Sequence, residues 1–544
     1  MKINYLLIIF IISTTLFNFI YCKEQSTKGL HIKEDLKIYN ENDEVIMLRG
    51  VNRPGTEYTC VKHQKAFDGL ANDRETILIR SWKVNTIRVP LNEDCWLGVH
   101  QNEAPWFGEG YRDKIKGYVK MLSDLNMAVI IDLHWSSKNG LLATDQIPMP
   151  NAENSAKFWK QVANMFKDFS NVIFDLYNEP YPFGNEWESD EAWACWRDGE
   201  NCGLDYPTTG LSQLLEAVRS TGAKNIVLLS GIQYATSFTK FLDYYPKDTL
   251  SPPQLAASLH AYDFNQCKAK GCWDKFLTPV LNNMPIIATE TGQKDCKHDF
   301  LDDFLNYCDH KGIHYLAWSW LVGPCDGPSV IVNEAGDPSG FGVGFKKHMD
   351  RLAKGKIGMV SDTFDIYNDK LTHWSDNWSS SQPVLNSTEV IACEGNYSIK
   401  FVPKKDKSLH FMCWGCIESD LHKQIEFWVH GGSGGNQRIK VELLHLNQDK
   451  TNTVEKTWYI DDKCGGPIES NKWNHITLPL DDLPAGQQYD GIWFKAEEDQ
   501  SPIYVDKITV RAKVEPPADS DDSSKLIFNF FTIVSLIILS LLLI

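Results

Sequence analysis

The sequence predicts a (β/α)8 barrel followed by an antiparallel β-sandwich. Between about residues 30 and 355, eight short apolar segments alternate with amphipathic segments such as 155–169, which is the pattern of eight βα units. Between residues 357 and 515, segments with period-two alternation are separated by turns rich in Gly, Asn and Asp, as in a jelly-roll-like sandwich. A doubly wound open sheet is the alternative for the first region, but its Gly-rich phosphate loop is absent after the first strand.

Each predicted barrel strand is a short run rich in Val, Ile, Leu or Ala, the composition of strands buried on both faces. These strands are 46–52, 85–91, 127–135, 172–179, 225–232, 255–262, 285–291 and 313–320. The sandwich strands alternate apolar and polar residues and are 397–402, 423–430, 437–444, 474–480, 491–496 and 503–510.

Apolar segments at both ends predict targeting to the cell surface. Lys2 and the apolar stretch after it indicate a signal peptide cleaved after Cys22, with an uncleaved anchor as the alternative. The apolar C-terminal tail follows small residues at 520–524, which resembles a glycosylphosphatidylinositol signal, with a plain membrane helix as the alternative. We therefore expect the extracellular face of the plasma membrane, or secretion. The expected regions are the signal peptide 1–22, the barrel 23–355, the sandwich 356–515, a linker with the attachment site 516–525, and the tail 526–544.

Charge and cysteine content limit the partners and the compartment. A net charge of −17 argues against nucleic acid, which requires clustered Lys and Arg. Neither a dinucleotide loop nor a convincing metal cluster is present, so no cofactor is expected, and we expect a monomer. Fourteen cysteines fit an oxidising compartment. The expected bridges are Cys195–Cys202, Cys267–Cys272 and Cys60–Cys95, whereas Cys296, Cys308 and Cys325 cannot all pair among themselves. Cys413 and Cys416 have zinc-like spacing, but only Cys393 and Cys464 remain nearby, so we expect disulfides there instead of a zinc site.

The sandwich region carries three kinds of candidate surface feature. N-glycosylation sequons begin at Asn377, Asn386 and Asn396. Asp506 is a candidate for a structural calcium site. Aromatic side chains that could stack on sugars, or pack in the core instead, are Trp374, Trp378, Trp428, Trp458, Trp473 and Trp493.

Polar and aromatic side chains gather at the carboxyl ends of the predicted barrel strands. In a (β/α)8 barrel these ends ring a single pocket, and burying so many polar groups is costly unless they serve a function. We therefore predict an active site there. Its candidate residues are Arg88, His134, Trp135, Asn178, Glu179, His260, Tyr262, Glu290, Trp318 and Trp320.

Two carboxylates that face each other across a pocket suit glycoside hydrolysis, in which one protonates the leaving oxygen and the other attacks or activates water. Glu179 and Glu290 are the candidates for this pair. Arg88 and Tyr262 could keep Glu290 ionised, since positive charge and hydrogen bonds favour the carboxylate form. Asn178 could bind a sugar 2-hydroxyl. The remaining roles are sugar binding by His134, Trp135 and His260, and a stacking floor from Trp318 or Trp320.

The ordered motifs IRVPL, DLHW, DLYNEP, SLHAY, ATETG and AWSW resemble glycoside hydrolase family 5 across about residues 30–355. The resemblance implies a retaining mechanism with Glu179 as acid/base and Glu290 as nucleophile. Two segments depart from the cellulases of that family: ETGQKDC, which starts at Glu290, and the insertion at 187–202. The identity of the glycan is therefore left open. The sandwich resembles the carbohydrate-binding modules often appended to such enzymes.

Three functions follow from these observations. The first is a surface-anchored retaining endo-β-glycanase acting on β-1,4-glucan, with mannan or β-1,3- or β-1,6-linked glycans as alternative substrates. The second is a transglycosylase that passes the same glycosyl-enzyme to a sugar acceptor. The third is a non-enzymatic surface adhesin, which the intact pair of Glu179 and Glu290 argues against.

Overall fold

A computed structural model describes residues 25–99, 107–183, 189–355, 363–372, 375–447, 451–463 and 466–513. The chain divides into two compact units, Met1–Gly358 and Met359–Ile544. The predicted signal peptide, attachment region and apolar tail lie outside the described residues, as does Trp374. Among the described residues, no helix combines the length and apolarity that a membrane span requires.

The first unit contains a closed barrel of eight parallel strands, which confirms the predicted fold class. A short hairpin of β1 (His31–Ile32) and β2 (Ile38–Tyr39) precedes it. The barrel strands, in spatial order, are β10 (His314–Ala317), β3 (Arg49–Asn52), β4 (Thr86–Asn92), β5 (Ala128–Trp135), β6 (Val172–Asp175), β7 (Val227–Ser230), β8 (Leu255–Tyr262) and β9 (Ile286–Gly292).

Helices surround the barrel and bury the outward-facing strand residues in one apolar cluster. One of them, the short helix α8 (Ile232–Ala235), contains left-handed backbone at Gln233 and Tyr234. The helices of this unit are α1 (Thr59–Lys62), α2 (Asp73–Ser81), α3 (Glu93–Leu97), α4 (Glu109–Asp124), α5 (Ser155–Phe166), α6 (Asp190–Asp198), α7 (Leu211–Arg219), α8 (Ile232–Ala235), α9 (Phe241–Tyr244), α10 (Lys270–Leu281), α11 (Asp299–Lys311) and α12 (Gly340–Ala353).

The barrel interior is apolar at one end and polar at the other. Ile130 and Ile173 belong to a second buried cluster, which also includes Leu30, Ile32 and Ile38 of the hairpin region. The hairpin therefore closes the amino end of the barrel with apolar side chains. Polar side chains are left to occupy the carboxyl end, where barrel enzymes hold their chemistry.

Four of the predicted barrel strands, β3, β6, β7 and β10, are shorter than the sequence indicates, and two of these differences affect the site. Strand β6 ends at Asp175 and strand β10 ends at Ala317, so Glu179 and Trp318 lie on the loops that follow rather than within the strands. Ladder pairing of β6 with β7 covers only Phe174 and Asp175. Beyond that point, single hydrogen bonds such as Asn178 N to Leu133 O, at 3.1 Å, hold the chain.

The second unit consists of two antiparallel sheets, as predicted. All six predicted strands are present, and six further strands were not predicted. Among the latter, the Cys-Trp-Gly-Cys run interrupts alternation in β16 (Ser408–Glu418), and β19 (Asn452–Tyr459) is polar and largely exposed. A single-turn helix, α13, spans Ile460–Lys463. One sheet contains β11 (Phe364–Asn368), β12 (Lys370–Leu371), β14 (Val384–Ser387), β15 (Ser398–Phe401), β17 (His422–His430), β20 (Trp473–Pro479) and β22 (Ile503–Ala512). The other contains β13 (Asp376–Asn377), β16 (Ser408–Glu418), β18 (Lys440–Leu446), β19 (Asn452–Tyr459) and β21 (Gln488–Lys495).

Disulfide bonds join loops in both units. The three expected bridges are present, Cys413 pairs with Cys416, and Cys296 pairs with Cys325. The last pairing leaves Cys308 as a buried free thiol, and Cys393 is also free.

The candidate surface features of the sandwich fall into distinct environments. The sequon residues Asn377, Asn386 and Asn396 are exposed. Asp506 is buried, and its carboxylate accepts hydrogen bonds from the backbone N–H groups of three residues, so it supports the loop that approaches it. Trp458 is buried, whereas Trp378 is 46% exposed and keeps the potential to contact a ligand.

Candidate active site

A cavity of about 540 Å³ opens at the carboxyl end of the barrel. Six of the ten predicted site residues line it, and they come from strands or loops far apart in the sequence. The lining residues are His134, Gln146, Asn178, Glu179, Gln233, Tyr234, Thr236, Tyr262, Phe264, Asn265, Gln266, Glu290, Lys294, Trp318 and Pro328.

The two candidate carboxylates approach each other closely. A carboxylate oxygen of Glu179, a ring nitrogen of His260 and a carboxylate oxygen of Glu290 all lie within 4.8 Å of one another. Carboxyl groups about 5–5.5 Å apart characterise retaining glycosidases, whereas about 6.5–9.5 Å is needed to admit water in inverting ones. The observed spacing corresponds to the retaining arrangement.

Arg88, on β4, is the centre of a buried network beneath the cavity. Its Nη1 lies 2.7 Å from Glu290 Oε1, and its Nη2 lies 3.1 Å from Asp175 Oδ2 and 3.2 Å from Asp132 Oδ2. Nη2 also donates a hydrogen bond of 2.9 Å to Asn178 Oδ1. One guanidinium therefore serves three buried carboxylates and orients the amide of Asn178, which a single-point ammonium could not do.

Two side chains donate to the carboxylate of Glu290. Besides Arg88, the Tyr262 hydroxyl donates a 2.7 Å hydrogen bond to Glu290 Oε2. Tyr262 lies at the end of β8, and its phenol pKa is raised by burial and by the charge of Glu290, so it remains a proton donor.

Glu179 occupies a different environment. Burial raises the pKa of its carboxyl, and a hydrogen bond from Gln146 only partly offsets this effect. His260 Nδ1 lies 2.8 Å from Glu179 Oε1. Burial lowers the pKa of His260 to about 4, so the ring is neutral near pH 7 and adds no positive charge that would favour the ionised form of Glu179.

His134 and Trp318 form an adjoining wall of the cavity. Their rings stack at 5.7 Å with an interplanar angle of 9°. Burial alone would lower the pKa of His134, but the charge of Asp132 and a 2.8 Å hydrogen bond to it raise this pKa to about 8. His134 therefore presents a fixed, largely protonated ring beside the carboxylate pair.

Four of the predicted binding residues are not among the residues that line the cavity, namely Arg88, Trp135, His260 and Trp320. Trp320 is 2% exposed and packs against Trp82 at 5.0 Å, so it belongs to the core. The expectation that it shares a side with Trp318 required a regular strand, and β10 ends before both residues. Trp135 is half-buried, with Lys62 Nζ 4.6 Å from its ring. Arg88 and His260 lie beneath the cavity and contact its carboxylates.

Several site residues were missed by sequence reasoning. Gln146, Tyr234, Phe264 and Lys294 line the cavity from loops that carry no recognisable motif. Asp132 was detectable, because it lies two residues before His134 on the same strand and must share its side of the sheet.

Glu179, His260 and Glu290 could also hold a metal ion, since their donor atoms are close enough to share one. Their contacts already provide each group with a protein partner, which fits a carboxylate pair at least as well as an ion.

Comparisons with known proteins find a matching family model and several relatives. The family model described as cellulase (glycosyl hydrolase family 5) matches residues 50–323. An endoglucanase of Dictyostelium discoideum is 29% identical over 154 residues, which are 28% of this chain and 21% of that protein. An endoglucanase of Clostridium saccharobutylicum is 22% identical over 298 residues, 53% of this chain and 56% of that protein.

A solved β-glucanase of Saccharophagus degradans in complex with cellotetraose is 20% identical, covering 61% of this chain and 95% of that chain with a TM-score of 0.47. The chain spans from about a fifth to just over half of the length of the two endoglucanases it matches. Because the family model matches half of the 544 residues and encloses both carboxylates, this chain belongs to glycosyl hydrolase family 5.

Proposed function

We propose that this protein is a retaining endo-β-glycanase that hydrolyses β-1,4-glucan. The observation that carries this proposal is a pair of adjacent carboxylates in opposite environments. Glu290 contacts a guanidinium and a phenol, whereas burial raises the pKa of Glu179. A paired acid and base whose environments separate their proton affinities is the arrangement that glycoside hydrolysis requires.

In the first step, ionised Glu290 attacks the anomeric carbon while Glu179 donates its proton to the leaving glycosidic oxygen. A glycosyl ester of Glu290 forms, and the shortened glycan leaves as an alcohol. Glu179, now ionised, then removes a proton from water, which attacks the anomeric carbon and releases Glu290. Asn178, oriented by Arg88, is placed to bond a hydroxyl of the reacting sugar.

Attack within a chain requires binding surfaces on both sides of the carboxylate pair. Tyr234 is 43% exposed at the cavity and stacks on Tyr181 at 4.4 Å, two residues after Glu179. Positive φ angles at Gln233, Tyr234 and Ala235 are unfavourable for non-glycine residues, so contacts such as the 3.1 Å hydrogen bond from Tyr234 N to Pro180 O must hold this turn. A stacking platform beside the proton donor favours a sugar on the leaving side, and the relatives named endoglucanase favour glucan.

The test measures the turnover of defined polymers and the anomeric configuration of the first products. We expect purified protein to hydrolyse β-1,4-glucan, and proton NMR of the first products to show the β-anomer. Glu290→Gln should abolish turnover, and Glu179→Gln should lower it by at least about a hundredfold, without loss of folding. Normal turnover by Glu290→Gln, or α-anomeric first products, would contradict the proposal.

The same experiment separates the alternatives. Cleavage of mannan or of β-1,3- or β-1,6-glucan in preference to β-1,4-glucan would correct the substrate. Products extended by a labelled acceptor sugar would indicate transglycosylation instead of hydrolysis. Binding to the polymers without any cleavage would support a surface adhesin.

For the second unit, we propose a glycan-binding role like that of a carbohydrate-binding module. An aromatic row supports it, since Trp378 lies 6.0 Å from His410, which lies 5.1 Å from Trp493. Sugar rings stack readily on exposed aromatic faces. Trp378→Ala in the full chain should weaken retention on insoluble cellulose and leave hydrolysis of soluble glucan unchanged. Unchanged retention of the variant on insoluble cellulose would contradict this role.

We also propose that the protein acts outside the cell, anchored at the plasma membrane by a glycosylphosphatidylinositol group. The signal-like and tail-like segments in the sequence and the five disulfides support this location. Treatment of intact cells with phosphatidylinositol-specific phospholipase should release the activity. Complete retention after digestion would favour a membrane helix.

A further inference from the structure

Lys294 brings a positive charge to the rim of the active-site cavity without an acidic partner. Its side chain is exposed and lines the cavity with Glu290 and Phe264. Among the residues that the structure describes, no carboxylate oxygen lies within 4.0 Å of its ammonium group. Because Arg88 already pairs with Glu290 at 2.7 Å, Lys294 is not needed to balance the charge of the nucleophile.

Aromatic contacts connect Lys294 to the reaction centre. Its ammonium nitrogen lies 4.1 Å from the Phe264 ring centroid, in a cation–π contact. Phe264 stacks on Tyr262 at 4.9 Å, and the Tyr262 hydroxyl donates to Glu290. Since Phe264 is 52% exposed, this edge of the cavity is open to an incoming glycan.

The loop that carries Lys294 is fixed on both sides. Lys294 N donates a 3.1 Å hydrogen bond to Asp263 Oδ1 on the neighbouring loop. The buried Gln293 side chain donates to Asp295 Oδ1 at 2.7 Å. The Cys296–Cys325 bridge ties the same loop to the one after β10. The charge is therefore placed before substrate arrives, which limits the entropy lost on binding.

A neutral glucan offers only hydroxyls and apolar ring faces, which hydrogen bonds and stacking satisfy. An unpaired ammonium is instead a point charge that suits an anion. Resting on the β-glycanase function proposed above, we propose that Lys294 is a specificity-determining residue that recognises an anionic substituent, a carboxylate or a sulfate ester, on the glycan. With a protein net charge of −17, a polyanionic chain is otherwise repelled, so a local cation at the cleft matters.

The test compares neutral hydroxyethyl-cellulose with carboxymethyl-cellulose, which share one β-1,4-glucan backbone. We expect Lys294→Met to lower kcat/KM on the carboxymethyl polymer about fivefold relative to the neutral one, the effect of losing one exposed charge pair. Lys294→Arg should retain the preference, and added salt should reduce it in the wild type. Cellulose sulfate as a third substrate distinguishes a sulfate ester from a carboxylate.

The matched control is Lys224→Met, which makes the same charge change just before β7, at the amino end of the barrel, and should alter neither substrate. An equal loss on both polymers in Lys294→Met, or an unchanged ratio, overturns the inference. Binding of the two polymers to Glu179→Gln, with and without Lys294→Met, gives a readout independent of turnover. Absence of cleavage by the wild type would contradict the proposed function. Equal binding of both polymers by the Glu179→Gln protein would instead contradict the role of Lys294.

Discussion

Arg88 Nη1 lies 2.7 Å from Glu290 Oε1, and both side chains are almost fully buried. The same guanidinium contacts Asp132 and Asp175. Glu290, the proposed nucleophile, therefore shares its cation with two fully buried carboxylates. Burial raises the pKa of Asp175 to about 7 in spite of Arg88, which shows how much negative charge this one group must balance.

Replacing Arg88 should damage folding and catalysis together. Arg88→Met leaves the buried carboxylates of Asp175 and Glu290 without a cation, whereas Asp132 keeps its contact with His134. We expect a loss of about 3–5 kcal/mol in the free energy of unfolding. Arg88→Lys restores charge but not the forked geometry, so kcat should fall by about 10² or more in the folded protein. Chemical denaturation and kcat per folded molecule are the measurements.

The control is Arg219→Met, which breaks a buried pair with Asp248 at 2.8 Å away from the cavity. It should destabilise the protein and leave kcat per folded molecule unchanged. Wild-type turnover by Arg88→Lys would show that Arg88 does not act on the nucleophile.

The basic limb of the pH–activity profile should report Glu179. The acid must be protonated to donate, so kcat/KM falls as the pH rises through the pKa of Glu179, which burial raises. The Gln146 hydrogen bond lowers that pKa, because it stabilises the ionised form. Gln146→Leu should therefore shift the basic limb to higher pH, whatever it does to the maximum rate. A shift to lower pH would contradict this assignment.

Glu93 should make stability depend on pH. It is buried between β4 and α5, where Asn151 and Ser155 donate to it, and burial raises its pKa from 4.5 to about 7. A folded-state pKa above the unfolded value gives a stability that is full below about pH 4.5 and is lost as the pH rises through 7. The wild type should lose about 3 kcal/mol over this range relative to Glu93→Gln.

Urea denaturation at several pH values measures this difference. The exposed Glu216→Gln is the control and should show no pH-dependent difference from the wild type. Parallel pH dependence of wild type and Glu93→Gln would mean that Glu93 titrates alike in the folded and unfolded states.

A chelator should not inhibit the enzyme. Although Glu179, His260 and Glu290 are close enough to hold an ion, the proposed reaction uses their protons and charges directly. We expect full activity after dialysis against EDTA, measured beside an untreated sample. Inactivation that a divalent cation reverses would instead assign a metal to this site.

The sequence by itself determined the barrel and its carboxylate pair. Eight apolar runs, long enough for buried strands, are followed by polar residues at their ends, and only closure into a barrel brings those ends together. The alternation that marks a sheet likewise identified six of the twelve strands that the structure describes in the sandwich. It failed for β16, where Cys413–Cys416 interrupts the period, and for the exposed strand β19, because packing alone stabilises such segments.

Only the tertiary structure decided which side chains meet. Trp318 and Trp320 look equivalent in sequence, yet the end of β10 at Ala317 leaves Trp318 at the cavity and puts Trp320 against Trp82. Lys294 and Phe264 are contributed by loops whose paths depend on a disulfide and on contacts with distant residues. Local propensity determines which segments form strands, whereas long-range packing determines the distances between loops. The spacing of Glu179 and Glu290 therefore depends on the tertiary structure. So does the contact of Arg88 with three carboxylates.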